Sequence, residues 1–346
     1  MEYRFLGKSG LQVSAISLGT MTFGGGEVFK YMGTAQTAEA RKMVDICLEA
    51  GINLFDTADM YSQGLAEQVL GEAIGQNRRS QVIIATKAFF RSGQGIHDIG
   101  SSRLHLIKAC EASLKRLGTD YIDLYQVHNS DLYTPLEETL SALDQLIRDG
   151  KVRYVGCSNY AGWQLMKALA IADKRGYQPF ISQQTYYSLI GRDLENELIP
   201  VAVDQHVGTL IWSPLAFGLL SGKYRRGQPM PDNTRLANLE APGQVNWELL
   251  YNIVDELDTI AKERKKTVAQ VALNWLLRRP TISSVIFGAR TEAQLKDNLG
   301  AVGWSLSEEE VRRLEKVSST PEPYPYWHHH RYAAERNPLI AQAYRP

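Results

Sequence analysis

Two hydrophobic periods alternate along most of this chain. Short apolar runs such as Val82-Ile83-Ile84-Ala85 read as buried strands, and longer stretches with apolar residues every third or fourth position read as helices. The first elements differ: residues 3–6 and 11–14 flank Lys8-Ser9-Gly10, a hairpin-type turn, and a strand over 15–18 runs into Gly19-Thr20-Met21. A glycine-rich loop (Gly24, Gly25, Gly26) then extends to about Gln36. From there Thr37 is expected to cap a helix to Ala50, followed by strand 52–56, helix 64–76 and strand 82–86. Ser101 or Ser102 caps helix 103–117, ahead of strand 121–127. Helix 135–148 opens on Pro135 and leads to strand 152–156. Helix 162–174, strand 180–183, helix 193–203 and strand 208–212 follow. After a polar insertion come helices 247–265 and 267–278, strand 283–287, and helices 291–300 and 307–317.

These segments make eight βα units. Strict alternation implies a parallel sheet, and eight units without a change of composition predict closure into a (β/α)8 barrel. The chain reads as one domain over 1–346, with a hairpin cap at 1–14, an insertion loop at 223–247 and a tail at 319–346. A doubly wound sheet would carry GxGxxG after its first strand, and Gly24-Gly25-Gly26-Glu27-Val28-Phe29 lacks that spacing.

Composition narrows the function classes. Thirty-eight basic residues balance thirty-eight acidic ones, which gives no electrostatic reason to expect a nucleic acid or an anionic membrane as partner. No apolar run approaches the roughly 20 residues that span a bilayer, and Met1-Glu2-Tyr3-Arg4-Phe5 does not read as a signal peptide. Cys47, Cys110 and Cys157 are far apart with no CxxC, as expected of small core residues in a reducing compartment. A cytoplasmic protein without a metal site is expected.

The strand ends carry the chemistry. Strand 52–56 closes on Asp56 with Tyr61 in its loop, and Lys87 ends the next strand. His128, then Ser158-Asn159, Gln183-Gln184 and Trp212-Ser213 follow the later strands. Each alone reads as well as a satisfied structural residue, but in a barrel all of them converge on one mouth. Asp, Tyr, Lys and His together suit carbonyl reduction, in which hydride addition puts negative charge on oxygen and calls for a proton donor and fixed electrostatic support. A free tyrosine ionises near ~10, so an adjacent ammonium favouring the phenolate is required, and Asp56 would keep Lys87 charged and aimed. His128 would hydrogen-bond the carbonyl oxygen. No step needs a metal.

With these residues in place the chain resembles the aldo-keto reductases. Phe55-Asp56-Thr57-Ala58-x-x-Tyr61, Thr86-Lys87, Gln126-Val127-His128-x-x-Asp131, Gly156-x-Ser158-Asn159, Ser182-Gln183, Trp212-Ser213-Pro214-Leu215 and Gly288-Ala289-Arg290-Thr291 stand in family order, over about residues 3–318. Trp212 and Ser221-Gly222-Lys223 resemble the branch of potassium-channel β-subunits and bacterial oxidoreductases. The resemblance implies Tyr61 as proton donor with Asp56, Lys87 and His128 completing a tetrad. The activity implied is reversible, NADPH-dependent reduction of aldehydes and ketones, with NADH as a weaker alternative cofactor. A cofactor-occupied regulatory subunit with little turnover is the alternative.

The resemblance also implies cofactor contacts. Ser158, Asn159 and Gln183 would hold the nicotinamide carboxamide, Trp212 would stack under the ring, and Gly19, Thr20, Met21, Ser213, Pro214 and Leu215 would frame it. Gly218, Ser221 and Lys223 would cradle the pyrophosphate, with Arg235 as a further phosphate contact. Arg290 would grip the 2′-phosphate, aided by Thr291 and Gln294, with Gly288 beside it and Asp297 and Asn298 on the adenine. Ala289 stands where many relatives carry a lysine. Met60, Phe89, Asn129 and Tyr160 are candidates for the substrate pocket. The tail, with His328-His329-His330 among tyrosines and a tryptophan, is expected to pack or form an interface, within reach of the barrel mouth. A homo-oligomer is a further expectation.

Overall fold

A computed structural model describes the chain except residues 27, 28, 30, 233, 235, 237–244 and 337–346, with 334 and 336 described in backbone only. Strands β1 (Tyr3–Phe5) and β2 (Gln12–Ser14) form the antiparallel hairpin. The eight that follow are β3 (Ile16–Gly19), β4 (Leu54–Asp56), β5 (Ile83–Ala88), β6 (Ile122–Val127), β7 (Val152–Ser158), β8 (Ser182–Tyr186), β9 (Gly208–Trp212) and β10 (Ile282–Phe287). They pair in parallel in the order β3 to β10, and β10 returns to β3, so the barrel is closed.

The helices lie between the strands or, for the last three, after β10: α1 (Thr37–Glu49), α2 (Leu65–Ile74), α3 (Arg103–Leu117), α4 (Leu136–Arg148), α5 (Gly162–Arg175), α6 (Leu198–Gln205), α7 (Trp247–Arg264), α8 (Val268–Leu277), α9 (Glu292–Leu299), α10 (Glu308–Ser318) and α11 (Tyr326–Arg336). Their inner faces pack on the barrel in a large core that includes Leu70, Leu106, Leu143, Leu165, Ile253 and Trp275. A second, smaller apolar cluster fills the barrel itself: Leu54, Ile83, Ala85, Leu124, Leu210 and Ile286 meet Leu6 and Val13 of the hairpin segment. The hairpin therefore plugs the barrel end opposite the strands' C-termini.

Three local expectations are corrected. Gln36, not Thr37, is the N-cap of α1: Gln36 is extended and its N–H donates to the Glu39 carboxylate, while the Thr37 hydroxyl donates to Glu72 at 2.6 Å. The helix expected over 193–203 is a short turn, Asp193–Glu195, followed by α6. Pro200 lacks an N–H and is tolerated in a first turn but not mid-helix, so the helix begins just before it. The strand expected over 180–183 runs from Ser182 to Tyr186. Ser102 is the cap of α3, accepting from the His105 N–H.

Candidate active site

Side chains alternate across a strand, so every second residue of β4 to β9 points into the barrel. Past the apolar layer these inward positions turn polar. The Lys87 ammonium donates to Asp56 Oδ1 at 2.6 Å and to the Thr57 carbonyl at 2.6 Å, with 0% of its side chain exposed. Gln184 Nε2 donates to Asp56 Oδ2 at 2.8 Å, and Gln126 Nε2 reaches the same oxygen at 3.4 Å. Gly156 makes room for this network: a Cβ there would come within 2.6 Å of Ser182 Oγ and 3.4 Å of Gln126 Cγ. Burying an ion pair is costly unless its remaining donors and acceptors are also matched, and here they are. Burial alone would depress the Lys87 ammonium, but Asp56 and Tyr61 more than offset it and hold the pKa above the usual lysine value.

Tyr61 lies outside any strand, at the start of a turn over Tyr61–Gly64. Its hydroxyl stands 3.5 Å from Lys87 Nζ, and its ring meets His128 edge-on with centroids 5.8 Å apart. His128 follows β6, its N–H donating to the Ala88 carbonyl. Burial, reinforced by the Lys87 charge, holds this imidazole well below the usual histidine pKa, so it is neutral. Phe90 packs edge-on against it at 4.8 Å. The four residues expected to carry the chemistry are thus brought together.

Asp56, Tyr61 and His128 open onto a cleft of about 570 Å³ that runs from this cluster to the start of α9. Lys87 lies directly behind, fully buried. Ser158 and Asn159 line the cleft. The Ser158 hydroxyl is buried and makes no hydrogen bond among the described residues, while Asn159 donates to the His128 carbonyl and accepts from the Trp212 indole N–H at 3.1 Å. Trp212 lies among Tyr186 and Phe217, with centroids 5.1 and 6.1 Å away. After β9 the backbone is left-handed at Ser213, Ala216, Phe217 and Gly218. Such conformations are uncommon outside glycine and recur where a loop is shaped around a ligand.

Most other expected cofactor residues also line the cleft: Gly19, Met21, Ser213, Pro214, Leu215, Gly218, Ser221, Lys223, Gly288, Arg290, Gln294, Asp297 and Asn298. Asp297 is tied to α8 through Gln270 and Thr267, and the Arg290 N–H donates to Gln294 Oε1. Thr291 caps α9 and borders a smaller cleft with Arg290, Glu39 and Glu292. Thr20 is wholly buried behind the wall. Arg235 lies outside the described residues.

Several expected positions are corrected. Gln183 points away from the barrel axis, its amide donating to the Leu198 carbonyl and Thr209 Oγ1, and Gln184 takes the inward place. Phe89 is not in the cleft wall but Phe90 is, because β5 ends at Ala88 and the alternation that leads from Lys87 to Phe89 ends with it. Tyr160 is a core residue edge-on to Phe180 at 5.9 Å, and Asn129 also stands outside the wall, whereas Met60 lines it. Thr22, Tyr31, Met32, Phe217 and Tyr224 were not anticipated in the lining. They lie on loops that carry no periodic signal. The tail lines no part of the cleft among the described residues: Tyr326 donates to Glu197 at 2.7 Å, His330 meets Glu322 at 3.0 Å, and His328 stacks near Tyr332.

The barrel and the polar strand ends at its mouth agree with comparison to known proteins. Residues 15–319 match the model of the aldo/keto reductase family. The chain is 38% identical to an uncharacterised oxidoreductase, YrpG, of Bacillus subtilis, over 94% of this chain and 100% of that one. It is 38% identical to a probable voltage-gated potassium channel subunit beta of Arabidopsis thaliana, covering 87% and 91% of the two chains. It is 34% identical to versiconal hemiacetal acetate reductase of Aspergillus parasiticus, covering 91% and 96%. The chain belongs to the aldo/keto reductase family and is an oxidoreductase of that class. No helix among the described residues is long and apolar enough to cross a membrane.

Proposed function

We propose that this protein reduces aldehydes and ketones to alcohols, reversibly, with NADPH as cofactor and Tyr61 as general acid. The observation that carries the reading is the buried Asp56–Lys87 pair reaching Tyr61 Oη at the floor of the cleft, beside a neutral His128. NADPH, when bound, supplies the hydride. Tyr61 Oη gives its proton to the carbonyl oxygen, and the ammonium 3.5 Å away stabilises the phenolate left behind. Asp56 keeps Lys87 charged against its burial. His128, being neutral, orients the carbonyl through a hydrogen bond and does not compete as the acid.

The residues present fit the dinucleotide. The buried Ser158 hydroxyl, without a partner among the described residues, suits a carboxamide, and the inward-facing Gln184 replaces Gln183 in that role. The Trp212 plane, anchored by Asn159, would set which face of the nicotinamide meets the substrate. The left-handed loop from Ser213 to Gly218, with Ser221 and Lys223, would hold the pyrophosphate. Arg290 and Gln294 at the N-terminus of α9 suit the 2′-phosphate. With Ala289 in place of a second cation, the preference over NADH is expected to be modest. Met60, Phe90 and Met32 give the substrate an apolar surround.

Cofactor titration by tryptophan fluorescence, with dinucleotide consumption over a panel of aldehydes and ketones, tests this. Tyr61→Phe is expected to lower turnover by roughly 10²–10⁴-fold while quenching by NADPH is unchanged. Arg290→Ala is expected to weaken NADPH binding and leave NADH binding nearly intact. Quenching by neither dinucleotide would overturn the cofactor reading. Tight NADPH binding without turnover across the panel would favour a regulatory subunit, the kind of protein that the Arabidopsis relative's name describes.

A further inference from the structure

Tyr61 is displayed on backbone that does not hold itself. The three residues after it are all left-handed: Ser62 (φ 50°), Gln63 (φ 56°) and Gly64 (φ 90°). Two of them are not glycine and adopt this region at a steric cost, so neighbours must hold the turn in place. In front, the Ser62 hydroxyl donates to the Phe23 carbonyl at 2.7 Å and accepts from the Gly25 N–H at 3.1 Å. Behind, Gly64 lies flat against the Arg116 side chain: a Cβ there would come within 2.7 Å of Cδ and 2.8 Å of Nε. Arg116 Nε in turn donates to Glu67 Oε2 at 2.6 Å, and the other Glu67 oxygen accepts from Thr86 Oγ1 at 2.6 Å.

Glu67 has no exposed surface, and Thr86 is the residue immediately before Lys87 in β5. One buried carboxylate therefore joins the turn that carries Tyr61 to the strand that carries Lys87. We propose that Glu67, through Arg116 and Thr86, is a positioning residue that keeps Tyr61 Oη in reach of the Lys87 ammonium. This rests on the reading of Tyr61 as the acid. The Oη to Nζ distance is already 3.5 Å, the outer limit of a hydrogen bond, so a small drift of either segment breaks the contact. Misplacement by an ångström is enough to cost a reaction on the order of 10²-fold.

The test uses the full chain with NADPH and a simple aromatic aldehyde. Thr86→Val keeps the shape of the side chain and deletes the donor to Glu67, whereas Thr86→Ser retains the donor. Thr86→Val is expected to lower kcat about 10-fold or more and displace the pH profile of kcat, with NADPH affinity near the parent's and a lower melting temperature from the Glu67 oxygen left without its donor. Thr86→Ser is expected to restore kcat. Glu67→Gln is expected to lower kcat similarly, and the Thr86 pair keeps the test decisive if that variant folds poorly. In a Tyr61→Phe background, Thr86→Val should have no further effect, because the group it positions is gone. Parent-like kcat in Thr86→Val, with Tyr61→Phe crippled, would overturn the positioning role alone. An equal further loss in the Tyr61→Phe background would do the same. Full turnover in Tyr61→Phe itself would overturn the reading of the acid and this role with it.

Discussion

At the plugged end of the barrel Leu54, Ala85, Leu124 and Leu210 meet Leu6 and Val13 near the hairpin, whereas two residues further along the same strands stand Asp56, Lys87, Gln126 and Trp212. The step is roughly 7 Å of strand rise, and across it the interior changes from interdigitated aliphatics to a hydrogen-bonded ionic network. The apolar layer gives the strands a reason to close and fixes their register. The polar layer takes its positions from that register and carries a buried charge pair matched by its hydrogen-bond partners. Fold and chemistry are thus divided by depth along one barrel axis, and substitutions at the two depths are expected to separate stability from turnover.

The sharpest break in that comparison is Lys87→Met. It deletes the cation that supports Tyr61 and leaves Asp56, among the described residues, with the amide donors of Gln126 and Gln184. Turnover is expected to fall by roughly 10²–10⁴-fold while far-ultraviolet circular dichroism stays native. Retention of most activity in steady-state assays would show that the polar layer does not carry the reaction.

The converse is Leu124→Ala, one inward position below Gln126 and wholly buried. Large-to-small changes in such a core cost roughly 2–5 kcal/mol, which denaturant melts would read directly. The kcat of the folded variant is expected to stay within about twofold of the parent, since no group at the mouth moves its partner. A tenfold loss of kcat would mean that the two layers are not separable.

What the sequence made legible follows the same division. Period-two and helical patterns, with turn residues between them, suffice for eight βα units, and helix 103–117 agrees to the residue because Ser102 and Gly118 mark its ends. Asp56, Lys87 and His128 are legible because each follows an apolar run. The choice between Gln183 and Gln184 is not, because a shift of one residue in strand register exchanges the faces, and no local signal separates two adjacent glutamines. Phe90 and Tyr31 are harder still. They reach the cleft from loops, whose paths depend on contacts far away in sequence. The ties behind Tyr61 belong to this class: Glu67 and Arg116 are ordinary helical residues until the fold sets them 2.6 Å apart.

A subtler probe of the polar layer is Asp59, between Asp56 and Tyr61. Both its carboxyl oxygens are buried with no hydrogen-bonding side chain among the described residues, and its N–H donates to the Lys87 carbonyl. Burial first, then the nearby Glu67 charge, raises its pKa from 3.8 to about 8, with Arg116 and Lys87 opposing. Between those two values the native chain keeps a proton that the unfolded chain has released. Stability contributed by this proton therefore falls as pH rises from about 4 to about 8 and is level beyond. Asparagine binds no proton in either state, so Asp59→Asn is expected to gain stability over the parent with rising pH across that window. The gain should be smallest near pH 4 and constant above pH 8. Melting midpoints of both proteins between pH 4 and pH 9 read the difference directly, and a difference that does not change with pH would mean that Asp59 is already ionised in the folded protein.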